Sequence, residues 1–280
     1  MKQLLVAATL AGLMSTSVSA ADIKITGDFE YSYQDNNSAT STAVDADINI
    51  IPSMTLPNGM TVQADININQ DGSSDGDNSV TISKDAWAID LGDTNSALDA
   101  IDDVTNWGYV LTNGSPSVNH AGILTLKPVD GLEIHGSFAT DSDYASSTKK
   151  GYALGGRYNL GPVTVGAAQM WNDDDSKARL LNAKGKIGPI GAGYELHTDT
   201  TAAGVDTDTT TISGTFDIGE ATMVGVELMK AESAGVTSSD EMTFGIHHTI
   251  ADGVVAFAEY TNDDKTASEE TTAIGITVKF

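Results

Sequence analysis

The chain has 280 residues, with 39 acidic against 14 basic side chains, a formal net charge of −25 and no cysteine. That balance excludes a phosphate backbone as a partner, so no nucleic acid is expected, and its field repels acidic ligands. The missing cysteines exclude a disulfide scaffold and a thiolate metal site. Val, Ile, Gly, Tyr and Phe nonetheless recur throughout, so this is not a disordered acidic tail.

The chain opens on Lys2, an apolar run over residues 4–14, and Val18-Ser19-Ala20. A positive start, a short apolar core and small residues at a cleavage point predict a signal peptide over residues 1–20. The run is too short to span a membrane as a helix. Removing Lys2 with this segment leaves residues 21–280 as one domain, with a formal charge of 13 − 39 = −26.

From Ile23 onward, segments of about ten residues alternate apolar and polar, the length and period of a tilted membrane-spanning strand. Ile23, Ile25, Phe29, Tyr31 and Tyr33 share one face, and Lys24, Thr26, Asp28, Glu30, Ser32 and Gln34 share the other. Val44, Ala46, Ile48 and Ile50 then oppose Asp45, Asp47 and Asn49. After the turn Pro57-Asn58-Gly59, Val62, Ala64, Ile66 and Ile68 oppose Gln63, Asp65, Asn67 and Asn69.

The connections alternate in kind. Short ones carry Pro, Gly or Asp, around Asn58-Gly59, Asp130-Gly131, Gly161-Pro162, Gly188-Pro189, Gly219-Glu220 and Asp252-Gly253. Long polar ones are predicted over residues 35–43, 70–78, 141–150, 172–177, 198–208, 231–240 and 262–270. Short turns at one end and long loops at the other are the asymmetry of an outer-membrane β-barrel. Residues 79–91 are split at Lys84-Asp85 into two short strands, because single-chain bacterial barrels have even strand counts. The expected fold is therefore an all-β transmembrane antiparallel barrel of sixteen strands, with fourteen the alternative if one weak pair is misread.

Over residues 93–118 the alternation stops. An irregular connection of this length is usually functional. Ser96 is placed to cap a short helical turn over SALDAIDDV. The segment is expected to fold into the lumen as the third loop, with Asp93, Asp99, Asp102 and Asp103 at the constriction and Lys24, Asp28, Glu30, Asp45, Asp47 and Asp65 on the facing wall. A surface flap is the competing reading. The last strand, TTAIGITVKF, alternates to the end and finishes on Phe280, an aromatic ring suited to a bilayer interface.

The signal segment, the opening strand IKITGDFEYSY, the run VTISKDAWAIDLGDTNSALDAID and the terminal Phe280 together resemble a Gram-negative general diffusion porin of the compact alphaproteobacterial type. In that family a short strand pair leads into a third-loop start similar to Leu91-Gly92-Asp93-Thr94-Asn95-Ser96-Ala97-Leu98-Asp99. The resemblance covers the mature chain. It implies a homotrimer in the outer membrane among lipids and lipopolysaccharide, an eyelet made by the third loop, and a terminal aromatic, here Phe280, read by the barrel-assembly machinery. Family eyelets commonly set loop acids against wall arginines, whereas this chain has only Arg157 and Arg179.

Other constellations are weaker. His247 and His248 are adjacent on a strand and point to opposite faces, which disfavours a shared metal. Serine, histidine and aspartate occur without a nucleophile elbow, so no enzyme is expected. Asp71, Asp75 and Asp77, residues 173–175, and Asp206 with Asp208 lie in predicted outer loops. Solvated acidic loops explain them most simply, with loop-bound calcium or divalent bridging to lipopolysaccharide as the alternative; no other cofactor is implied. Girdle candidates are Tyr31, Tyr33, Trp87, Tyr152, Tyr158, Trp171, Tyr194 and Tyr260.

Polar inward faces enclose water, and rings of carboxylates favour cations. The function read from the sequence is a water-filled, cation-preferring pore for passive diffusion of ions and small hydrophilic solutes. A substrate-selective channel and a non-conducting anchoring barrel are the alternatives.

Overall fold

The computed structural model describes residues 22–36, 39–69, 78–102, 119–139, 150–264 and 269–280. The segment read as a signal peptide lies outside these residues. The strands are β1 (Asp22–Asn36), β2 (Ala39–Thr55), β3 (Thr61–Asn69), β4 (Ser79–Lys84), β5 (Trp87–Asn95), β6 (Asn119–Val129), β7 (Leu132–Ala139), β8 (Gly151–Leu160), β9 (Val163–Asn172), β10 (Lys177–Ile187), β11 (Ile190–Thr200), β12 (Asp206–Ile218), β13 (Thr222–Ser233), β14 (Val236–Ala251), β15 (Val254–Asp263) and β16 (Glu269–Lys279). Each pairs antiparallel with its sequence neighbours, and β16 pairs with β1 to close a sixteen-stranded barrel. Closure removes the open edges, so backbone groups along the ladders find partners inside the sheet, as a lipid environment requires.

The seam is completed by the last residue. Gly27 N–H donates to the Phe280 carbonyl and Phe280 N–H donates to the Gly27 carbonyl, each at 3.0 Å. The Phe280 ring lies across Gly27, where a Cβ would come within 2.7 Å of Phe280 Cζ. Phe280 remains 67% exposed on the outside.

The division between β4 and β5 falls on the turn Asp85-Ala86, which confirms the split that gives an even count. Other boundaries differ from the sequence reading. Most of residues 198–208 and 231–240, read as irregular loops, are strand. β11 and β12 leave only residues 201–205 between them, and β13 and β14 leave only Ala234-Gly235. Ala234 (φ 52°) and Gly235 (φ 77°) are both left-handed, the geometry of a two-residue hairpin turn whose twist suits antiparallel strands. The threonines that make these segments look like polar loops are also good strand formers. Similarly, β5 continues past Asp93 to Asn95 through a bulge between Leu91 and Thr94 at Gly92 (φ 128°).

Large apolar side chains are exposed on one face of strands around the barrel: Ile25, Phe29 and Tyr31 on β1, Tyr152 and Leu154 on β8, Phe244 and Ile246 on β14, Ile274 on β16. That exposed apolar face is the lipid surface of a membrane barrel, and the alternate, mainly polar face is the interior. Tyr31, Tyr33, Tyr152, Tyr158 and Tyr194 are all exposed on the apolar face, and Tyr152 stacks on Trp171 with centroids 5.0 Å apart. The adjacent histidines do diverge: His247 is buried against Glu259 at 2.9 Å, while exposed His248 meets Thr222 Oγ1 at 2.9 Å.

Candidate functional site

The chain leaves β5 into a single helical turn. Ser96 Oγ accepts from the Leu98 and Asp99 N–H groups at 3.2 and 3.1 Å. Asp99 Oδ2 accepts in return from Ser96 N–H and Oγ at 3.1 and 2.8 Å. This reciprocal cap satisfies donors that a helix start leaves orphaned. Ala100 N–H then reaches the Ser96 carbonyl at 3.0 Å.

The turn packs on the inner face of the barrel. Ala97, Leu98 and Ile101 join Ile123, Ala153, Ala168, Met170, Ala178 and Leu180 in one buried cluster. Two polar contacts fix the docking: Ala97 N–H donates to Ser137 Oγ at 2.7 Å, and Asn182 Nδ2 donates to the Ile101 carbonyl at 2.6 Å. The wall makes room with glycine. A Cβ on Gly155 would stand 2.7 Å from the Ala97 carbonyl oxygen, and one on Gly166 would stand 2.5 Å from Ile101 Cγ2. Residues 103–118, including Asp103, lie outside the described residues.

At the height of this turn the next rising strands carry acid. Ser137 and Ala168, which receive the turn, are each the sixth residue of a strand rising from the short-turn end. The sixth residues of the next three rising strands are Glu195 in β11, Glu227 in β13 and Glu259 in β15. Their exposures are 1%, 1% and 2%. Glu30 of β1 lies within electrostatic reach of Glu259 and of Asp45 on β2, which extends the arc across the seam. Asp102, at the end of the docked turn, lies within electrostatic reach of His197 of β11. Carboxylates therefore occupy the inner wall on β11, β13, β15, β1 and β2, at the height of the docked turn.

The sequence-expected wall residues share the interior face, where Asp28 pairs with Asp47 and Glu30 with Asp45 across β1 and β2. Lys24 lies near the short-turn end of β1. Asp65 and Asp93 line a separate recess beneath the turn. Asp99 is taken up in the cap of Ser96. The three buried glutamates were missed from sequence. Their signal is a spacing of 32 residues between Glu195, Glu227 and Glu259, one per hairpin.

Three basic side chains on this face are held by carboxylates. Glu133 of β7 binds Arg157 of β8 (Nη2 to Oε2, 2.6 Å) and Lys127 of β6 (2.8 Å). Lys186 of β10 pairs with Asp217 of β12 at 2.5 Å. Arg179 is exposed, alternating with Leu180 and Asn182, which face inward. Among the predicted loop acids, Asp174 accepts from Ser176, and Asp206 and Asp208 accept from Thr200 and Thr198 across their hairpin. Asp71, Asp75 and Asp77 lie outside the described residues.

The family model of Gram-negative porins matches residues 6–268. The chain belongs to that family. No curated protein matches it. Among solved structures, it is similar to a porin refined at 1.8 Å resolution, at 17% identity and TM-score 0.75 over 92% of this chain and all of that one. It is also similar to a loop L8 deletion mutant of OmpT, an outer membrane protein of Vibrio cholerae (14% identity, TM-score 0.77, 94% of this chain and all of that one). A third similarity is to a triple mutant of Rhodopseudomonas blastica porin (15% identity, TM-score 0.73, 92% of this chain and all of that one). At these identities the likeness shows the fold. Family and fold together place this porin in the outer membrane of a Gram-negative cell as a channel.

The docked turn supports a direct expectation. Leu98 is 1% exposed within the cluster, so Leu98→Ala should weaken docking by roughly 2–5 kcal/mol. No strand hydrogen bond is lost, so the barrel should still assemble. Single-channel records of the variant should show a noisier, larger open current. A quiet current of wild-type size would mean that docking of this turn does not set the bore.

Proposed function

We propose that this porin is a general diffusion channel of the compact alphaproteobacterial type, preferring cations. The observation that carries the proposal is the arc of interior carboxylates, Glu195, Glu227, Glu259, Glu30 and Asp45, level with the docked turn of residues 96–101. A low-dielectric wall focuses the field of such groups on the water it encloses, drawing cations in and turning anions away. Asp102 adds to the arc from the loop side, within electrostatic reach of His197. The wall arginines common in the family have no counterpart on this arc, where Glu195, Glu227 and Glu259 stand instead.

The porin works as a homotrimer, with part of the exposed apolar face shared between subunits and the rest facing lipid. Divalent cations such as calcium bridge the acidic hairpin ends to lipopolysaccharide phosphates. Phe280 serves as the signal to the barrel-assembly machinery, after the segment of residues 1–20 has been removed. Diffusive transport is tested by flux into proteoliposomes. Entry of small neutral sugars should rise linearly with concentration, and saturation would mark a substrate-selective channel instead.

A further inference from the structure

Beneath the docked turn, the inner wall of β3 to β7 holds a recess of about 590 Å³. That volume is within the range of small-molecule sites. Three carboxylates line it, Asp65, Asp90 and Asp93, and no lysine or arginine does. Asp90 takes a short hydrogen bond from Thr81 Oγ1. Asp65 Oδ1 is buried without a hydrogen-bond partner.

His135, also in the lining, is 5% exposed. Its Nδ1 meets Thr125 Oγ1 at 3.1 Å, but its Nε2 makes no hydrogen bond. The Glu133 carboxylate is 3.7 Å from that nitrogen and is already held by Lys127 and Arg157. Buried polar atoms left in this condition are costly unless something completes them. The recess also has an apolar side, formed by Ala100 and Ile123.

We propose that this recess is a binding subsite for hydroxylated primary-ammonium solutes, of which amino sugars are the simplest class. The ammonium sits among Asp65, Asp90 and Asp93, where charge-assisted hydrogen bonds are strongest. Ring hydroxyls reach His135 Nε2 and the neighbouring Thr125 and Asn95, and the C–H face of the ring lies on Ala100 and Ile123. A neutral sugar of the same shape leaves the carboxylates unanswered. The subsite rests on the reading of this barrel as an open pore, and gives that pore one class of solute that it holds as well as passes.

The test is single-channel recording of the full porin in dilute potassium chloride at slightly acidic pH. Glucosamine or glucose is added on the side of the short turns. Glucosamine should interrupt the wild-type current in a saturable manner, and glucose should not. Asp65→Asn combined with Asp90→Asn should weaken that interruption about tenfold or more while the channel still opens. Thr125→Val, which removes one hydroxyl and no charge, should weaken it by less. A conducting wild-type channel that ignores glucosamine, or responds equally to glucose, overturns the subsite. So does a double variant with wild-type sensitivity. Should the double variant yield no channels, Thr125→Val and the wild-type comparison decide. A wild-type chain that forms no channels contradicts the pore reading instead, and calorimetry of glucosamine with the detergent-solubilised barrel then decides the subsite on its own.

Discussion

Replacing Glu195, Glu227 and Glu259 together by glutamine is expected to lower sharply the cation preference proposed for the channel, while the barrel still assembles. Glutamine keeps the shape of each side chain and an acceptor for His247, which bonds Glu259 at 2.9 Å. The charge alone is removed. A carboxylate about 4 Å from a passing ion contributes about 1 kcal/mol even at the dielectric of bulk water, and more beside a protein wall. One such loss corresponds to roughly a fivefold change in a population ratio. The triple variant should therefore lose at least about fivefold in the ratio of cation to anion permeability in dilute salt. The difference should shrink in concentrated salt, because the screening length falls from about 10 Å at 0.1 M to about 3 Å at 1 M. An unchanged reversal potential in dilute salt would remove these glutamates from the selectivity of the pore.

The second large effect is expected in cells. Phe280→Asp puts a carboxylate at the barrel seam, where the ring now lies across Gly27. The backbone bonds between residue 280 and Gly27 do not need the ring. A charge near the interface of a membrane barrel costs only about 0–1 kcal/mol. The purified variant should therefore refold in detergent nearly as well as the wild type. Its yield in the outer membrane should fall severely, because the aromatic proposed above as the assembly signal is gone. Wild-type yield in cells would show that the terminal aromatic is incidental. Failure to refold in detergent would instead make the ring structural.

The strands were legible in the sequence because a membrane barrel writes its two faces in alternation. Ile23 to Tyr33 and Lys24 to Gln34 separate by parity alone, and the structure keeps that parity through β1. The even count of such barrels also called for a split at Lys84-Asp85, one residue from the turn Asp85-Ala86. Alternation fails where a strand leaves the apolar layer. β2 has 17 residues and β14 has 16, well beyond the 9–11 that a bilayer needs, and their outer parts are polar on both faces. The threonines and aspartates of residues 198–208 therefore look like loop, although all but Thr201 lie in β11 and β12.

The site was legible in part for similar reasons. The cap at Ser96 is a local pattern and could be read from four residues. The seat of the turn depends on Gly155, Gly166, Ser137 and Asn182, which come from four strands and carry no joint signal in sequence. Attention to the charge-rich early strands placed the acidic wall on β1 to β3. The wall also runs through β11, β13 and β15, where one glutamate per hairpin stands among small and apolar neighbours. The 32-residue repeat was present in the sequence. Its meaning depends on all three rising strands starting from the same end of the barrel, which the closed topology supplies.

The most direct test of the central claim is the reversal potential of the wild-type porin in a planar bilayer under a gradient of dilute potassium chloride. An interior that carries Glu195, Glu227, Glu259, Glu30 and Asp45 level with the docked turn predicts a potential of the sign set by potassium, decaying as both solutions are made more concentrated. A potential of the sign set by chloride, in channels that open normally, would contradict the account.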